Sequence, residues 1–163
     1  MVSITLDETR ISVRLVIDDD GQGCFDMVDF LLGPVDTAEG IAANTGGAHS
    51  AEDVTCAVFK TASGIVGTGS RNFNAADTFD RATVVGSAGT LQILMFTDTD
   101  LVVVQGRDET HFPLRSPPHV HQPLMQTIVD ELQGVGACPS TGESGARASW
   151  VKGRSVGEFY GRP

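Results

Sequence analysis

Basic residues are scarce: eleven Lys and Arg stand against twenty-one Asp and Glu, for a net charge of −10 at pH 7. Nucleic acid and anionic membrane both require clustered cations, so neither is expected as a partner. Cysteine is nearly as sparse. Cys24, Cys56 and Cys138 are three in number, far apart, and in no CxxC pattern, which argues against a disulfide framework or a thiolate metal site and for three reduced, mostly packed thiols. No apolar run approaches the roughly 20 residues that cross a bilayer, and no signal-peptide core opens the chain. A soluble, cytoplasmic protein is the expectation. Repeats and low-complexity segments are missing as well, and 163 residues suit a single domain over 1–163 with one core.

Catalytic signatures are also few. There is no G-x-S-x-G elbow and no partner that would mark a cysteine as nucleophile, so covalent catalysis has no support. Gly64-Ile-Val-Gly-Thr-Gly69 is glycine-rich but falls inside a hairpin pattern. It cannot set a helix N-terminus against a pyrophosphate, and no cofactor is expected to be bound by this chain.

What is present is mostly strand. Ile11–Ile17 alternates as a strand with one buried face, and Asp18-Asp-Asp-Gly21 ends it. Further strands are expected at 35–45, 53–61, 65–73, 80–86, 90–96, 101–105 and 109–115, each joined by a few turn residues, which makes a largely antiparallel meander. The glycines Gly64, Gly67 and Gly69 imply a bulge or a group packed close against the backbone of the fourth strand. Ile93–Phe96 and Leu101–Val104 are apolar on both faces, so with helices over one face a second subunit should cover the other. A charge placed at Leu94 or Val103 is expected to break that contact. After Pro117-Pro118 the period becomes helical: Leu124, Ile128, Val129 and Leu132 define a helix lying across the sheet. Ser140-x-x-Glu143 reads as a capping box opening a last helix, whose Gly153 and Gly157 should let its end fray. The fold class is α+β, an open, largely antiparallel sheet with helices on one face and the other face available for oligomerisation.

Chemistry concentrates between Gly21 and Pro34. This helix runs from a glycine pair to a Gly33-Pro34 stop. Wound at about 100° per residue, it gathers Phe25, Met27, Val28, Leu31 and Leu32 on a broad apolar side. Asp26 and Asp29 share a narrow wedge, where they could serve as acid/base groups or hydroxyl ligands, or simply face water. Free N–H groups at the glycine-led start could meet an anionic or hydroxylated ligand. His119 and His121, with His111 upstream, could present two imidazoles to a metal. No third ligand is fixed by spacing, however, so hydrogen bonding at the following helix start, at the rim of a cleft, is the expected role and no metal is expected. His49, in a Gly-rich loop, should be solvated.

Five segments taken in order resemble the C-terminal domain of Gfo/Idh/MocA oxidoreductases. They are Gly23–Pro34, Glu52–Thr68, Ala82–Leu91, Pro118–Leu132 and Cys138–Ser144, and the likeness they mark out runs over nearly the whole chain. The resemblance implies an enzyme whose N-terminal Rossmann domain binds NAD or NADP and supplies a catalytic lysine, neither of which is in this chain. It implies that the present domain builds a sugar or polyol site and forms a homo-oligomer through its sheet face. The family's site motif is D-x-G-x-H-x-x-D, its histidine serving hydride transfer. With Asp26 matched to the first aspartate and Asp29 to the last, the two stand three apart instead of seven, and no residue inherits the histidine. Substrate contacts are then expected at Asp26, Asp29, His119 and His121, no residue is assigned a catalytic role, and the chain alone should not transfer hydride. The alternative is a stand-alone interaction module that has lost the site.

Overall fold

A computed structural model describes residues 11–17, 22–77, 79–95 and 98–162. The Asp18–Gly21 turn and the end of the strand expected to reach Phe96 lie outside the described residues. Eight strands and three helices follow in the order β1 (Ser12–Ile17), α1 (Gln22–Leu32), β2 (Val35–Ala43), β3 (Val54–Thr61), β4 (Val66–Asn72), β5 (Arg81–Gly86), β6 (Gly89–Ile93), β7 (Asp100–Gln105), β8 (Asp108–Pro113), α2 (Gln122–Leu132) and α3 (Gly142–Val156). They form one sheet, ordered β2-β3-β4-β1-β5-β6-β7-β8. The expected meander is therefore interrupted once. β1 inserts between β4 and β5, parallel to the first and antiparallel to the second. β1 has a deeply buried face, with Val13 and Leu15 at 5% and 1% exposure, and burial on that scale favours a central place over an edge.

Alternation fixes which face is covered. Val13, Gly67, Phe59 and Ala38 form one cross-strand row, and Leu15, Gly69, Ala57 and Gly40 the next. Cys24, Phe25 and Val28 of α1 and Ala148 and Val151 of α3 belong to the same buried core as these strands. The glycine expectation holds: the Phe59 ring lies over Gly67, where a Cβ would collide with it, and stacks edge-on against Phe25 at 5.8 Å. Gly40 lets α3 come down on β2, since a Cβ there would stand 2.7 Å from the Ser155 backbone.

Several boundaries differ from expectation for identifiable reasons. β2 stops at Ala43 rather than Thr45, because Asp53 takes the Thr45 and Gly46 amides (2.7 and 2.6 Å) out of the ladder. The capping box of α3 is Thr141 with Ser144, not Ser140 with Glu143. Ser140 and Glu143 are engaged elsewhere, with Asp26 and Arg147. The end of α3 does not fray: the Arg162 amide donates to the Gly157 carbonyl (2.7 Å) and the Tyr160 hydroxyl to Glu52, itself paired with Arg71. The largest departure is α2. No residue of it is buried, and Leu132 is 82% exposed, so it does not lie across the sheet. α1 and α3 cover the β1–β5 half, leaving β6 and β7 half-buried and β8 mostly exposed.

Candidate functional site

The two aspartates of α1 do not face water. Asp29 is held by Arg147 of α3 through a bidentate pair, Nε to Oδ1 at 2.8 Å and the second guanidinium nitrogen to Oδ2 at 2.9 Å, with the carboxylate side chain only 8% exposed. The Arg147 hydrogen bonds, together with its charge and the Val35 amide, outweigh burial and hold this carboxyl below the ordinary range. Arg147 is correspondingly raised by Asp29 and Glu143. Geometry of this kind ties two elements together. Asp29 therefore fastens α1 to α3 and to the start of β2, and its oxygens are already satisfied by protein donors.

Asp26, one turn earlier, differs. Its Oδ2 accepts the Ser140 hydroxyl at 2.6 Å, while its Oδ1 is buried and has no partner among the described residues. An acceptor left in that state has unused capacity for a donor. Ser140 sits in the turn between α2 and α3, where Cys138 is anchored by Glu131, which accepts its amide at 3.1 Å, and donates its thiol to the Ser140 carbonyl at 3.0 Å. Thr127 of α2 in turn donates to the Cys138 sulfur at 3.5 Å. This chain of contacts links Asp26 to the middle of α2. Gly23, one turn before Asp26, is exposed, and open space surrounds the position of a Cβ there.

His119 and His121 are exposed at the entry to α2. His121 is the N-cap but makes no capping bond with its side chain, and the two residues take part through backbone carbonyls that accept from Gln122 and Met125. The expected imidazole hydrogen bonding at the helix start is thus not seen among the described residues. His111 sits apart on β8 between Glu109 and Asp100, at 2.8 and 3.3 Å. His49 is exposed, as expected, its Nδ1 lying 3.1 Å from the Ala51 carbonyl. Among the described residues no group of three His, Cys, Asp or Glu is placed to hold a metal, and none of their helices is long and apolar enough to cross a membrane. Cys24 and Cys138 are buried free thiols, whereas Cys56 is exposed on the uncovered sheet face. Sequence reasoning missed Ser140 and Arg147. Only the i,i+4 spacing of Glu143 and Arg147, 2.8 Å apart, hinted at the latter.

The sheet's other face has no helix over it. Ile41, Val58 and Val66 are 72%, 53% and 53% exposed there, and a shallow groove of about 660 Å³ runs past Arg14, Cys56 and Thr68. Val103 pairs with Leu91 and through it with Val84 of the covered face, so it is on the helix side. Leu94, in contrast, lines a second groove on the open side with Gln92 and His111.

Residues 21–92 match the family model for the GFO/IDH/MocA C-terminal domain. No curated protein matches the sequence significantly. Solved structures share the fold at low identity. A levoglucosan dehydrogenase complexed with NADH and levoglucosan superposes with a TM-score of 0.71 at 11% identity, over 93% of this chain and 56% of its own. The UDP-N-acetylglucosamine 3-dehydrogenase of Acidithiobacillus ferrooxidans gives 0.72 at 10% identity, over 87% and 50%. An Agrobacterium radiobacter oxidoreductase complexed with NAD+, L-tartaric acid and magnesium gives 0.68 at 13%, over 87% and 52%. The chain therefore spans about half the length of these relatives.

Proposed function

We propose that this chain, whose residues 21–92 match the GFO/IDH/MocA C-terminal domain, is the substrate-side and oligomerisation domain of an NAD(P)-dependent oxidoreductase acting on a sugar or polyol. It does not transfer hydride alone. The observation that carries this reading is the coverage of about nine-tenths of the chain by domains of dehydrogenases, one of them solved with NADH and levoglucosan. A nicotinamide, NAD or NADP, would be held by a dinucleotide-binding domain outside this stretch. The sugar or polyol would meet the exposed start of α1 at Gly23, next to Asp26, whose buried Oδ1 has no partner among the described residues. His119 and His121, exposed at the entry to α2, are kept as rim contacts. Asp29 drops from direct contact to a positioning role, because Arg147 occupies both its oxygens.

A second register of the family motif supports the incompetence of the isolated chain. D-x-G-x-H-x-x-D fits Asp19–Asp26 at full length, with Asp26 as the final aspartate and Gly23 in the histidine's place. No segment need then be missing; a hydrogen replaces the imidazole side chain, and with it goes the group for proton transfer. The same substitution favours the rival reading, an interaction module that kept the fold and lost the chemistry. Calorimetric titration with NADH and NADPH tests the leading reading. Negligible heat is expected up to millimolar concentrations, and micromolar binding would contradict it.

We further assign the uncovered sheet face to contact with a second copy of the chain. Replacing Val58, 53% exposed on that face, with aspartate should leave the fold intact and shift the mass by light scattering to that of the monomer.

A further inference from the structure

We infer that the groove where β5, β6 and β7 meet on the open side binds a small carboxylate with a short aliphatic chain, its charge paired with Arg81 beside Thr99 and its carbons lying against Leu94 and Val102. The site is separate from Asp26 and does not rest on the function proposed above. Ala82 and Val84 point into the buried core, so alternation turns Arg81 and Thr83 to the opposite face. Thr83, Gln92, Val102 and His111 form one cross-strand row there. A groove of about 240 Å³ opens beside this row, with Arg81, Gln92, Leu94, Thr99, Val102 and His111 in its lining.

Two polar atoms of the lining residues are buried without a hydrogen-bond partner among the described residues, Arg81 Nε and Thr99 Oγ1. Buried polar atoms are nearly always satisfied, so two orphans at one groove point to a missing group. Arg81 also takes part in no ion pair among the described residues. Its guanidinium lies instead over the Phe79 ring, 5.1 Å from the centroid, a contact that holds the plane without using its N–H donors. Arg81 as a residue is half-buried, so a ligand reaches the guanidinium through its exposed part, and pairing there meets the charge that Nε shares. The surrounding carboxylates are committed elsewhere. Asp80 is buried and accepts the Met95 amide, Asp98 accepts the Ser116 amide at 2.9 Å, and Asp100 and Glu109 flank His111 at 3.3 and 2.8 Å. Among the described lining residues Arg81 is the one Lys or Arg. The missing group is therefore an acceptor carrying negative charge, and a carboxylate matches the paired N–H groups of a guanidinium. Leu94 and Val102 add an apolar wall, and the volume is below the roughly 300–1,000 Å³ of sites for drug-sized ligands, which leaves room for a chain of a few carbons. Phosphate, with no carbon chain, would leave that wall uncovered.

Amide-resolved NMR of the full chain at fixed ionic strength, titrated separately with butyrate, inorganic phosphate and 1-butanol, tests the assignment. R81Q and T99V are the variants, with circular dichroism confirming that each folds. Butyrate should shift the Arg81, Gln92 and Thr99 amides saturably, with half-saturation on the order of millimolar, as suits one ion pair and a short chain. Phosphate and 1-butanol should each bind at least about tenfold more weakly, R81Q should weaken butyrate binding by about tenfold or more, and T99V by about threefold. Phosphate as tight as butyrate would remove the role of the apolar wall, 1-butanol as tight would remove that of the charge, and either result overturns the assignment. So does a folded R81Q that binds butyrate like the unaltered chain, or an unaltered chain whose groove amides do not move.

Discussion

Asp29 and Arg147 show how a residue read as chemistry can be architecture. Two carboxylates three apart on a helix look alike in sequence, yet one is met by a guanidinium from more than a hundred residues away and the other by a single hydroxyl. The pair sets a pH dependence with a definite sign. A carboxyl whose folded-state pKa is depressed contributes stability above its unfolded value of about 3.9, and that contribution is lost as pH falls through the folded value. Unfolding free energy measured in urea from pH 7 to pH 2 should therefore carry an acid-side decline that D29N reduces. R147A, which strands a nearly buried carboxylate, should cost about 2–4 kcal/mol near neutrality. Two glycines of α3 and its C-cap separate in the same way. Gly153 has open space where a Cβ would stand, so G153A should stabilise by about 0.5–1 kcal/mol in thermal melts. At Gly157 a Cβ would strike the Arg162 carbonyl, so G157A should destabilise. The sequence alone could not separate these, because the difference is made by a segment that folds back after the helix ends.

At the scale of elements, periodicity recovered what depends on neighbours in the chain. The strands, the hairpins and all three helices were legible from alternation, turn residues and caps. The place of β1 was not, since a parallel partner reached through α1, β2 and β3 leaves no local mark. Nor was the surface on which α2 would rest. Its Leu124, Met125 and Val129 give a good helical stripe, but they are 37%, 52% and 41% exposed, and a stripe says that something apolar is available without saying what covers it. Truncating Leu132 to alanine should accordingly change stability by less than about 0.5 kcal/mol. G67A in β4 should destabilise by about 1–3 kcal/mol, because the Phe59 ring has no room to retreat in a filled core. Equilibrium denaturation of the two variants side by side checks both. Of the candidate site, Asp26 was identified and its partner Ser140 was not, since the loop that delivers Ser140 is set by contacts of Cys138 with Glu131 and Thr127.

Over the whole molecule, the sheet divides the work between its faces. The covered face carries α1 and α3 and with them Asp26, Gly23 and the Ser140 turn; the open face carries the exposed Ile41, Val58 and Val66, the surface proposed for a second copy. Residues that would bind a substrate stand on helices and turns, and residues that would join subunits on the uncovered strand face, so a charge at Val58 should leave ligand binding at α1 unaffected. On the proposed reading, this domain offers a sugar or polyol site while holding no nicotinamide of its own. The most direct measurement is amide-resolved NMR of the full chain, titrated separately with a panel of sugars and polyols and with NADH. Saturable shifts are expected at Gly23–Asp26 and Ser140 with at least one sugar or polyol and none with NADH. Micromolar NADH shifts, or a panel that leaves those amides unmoved, would contradict it.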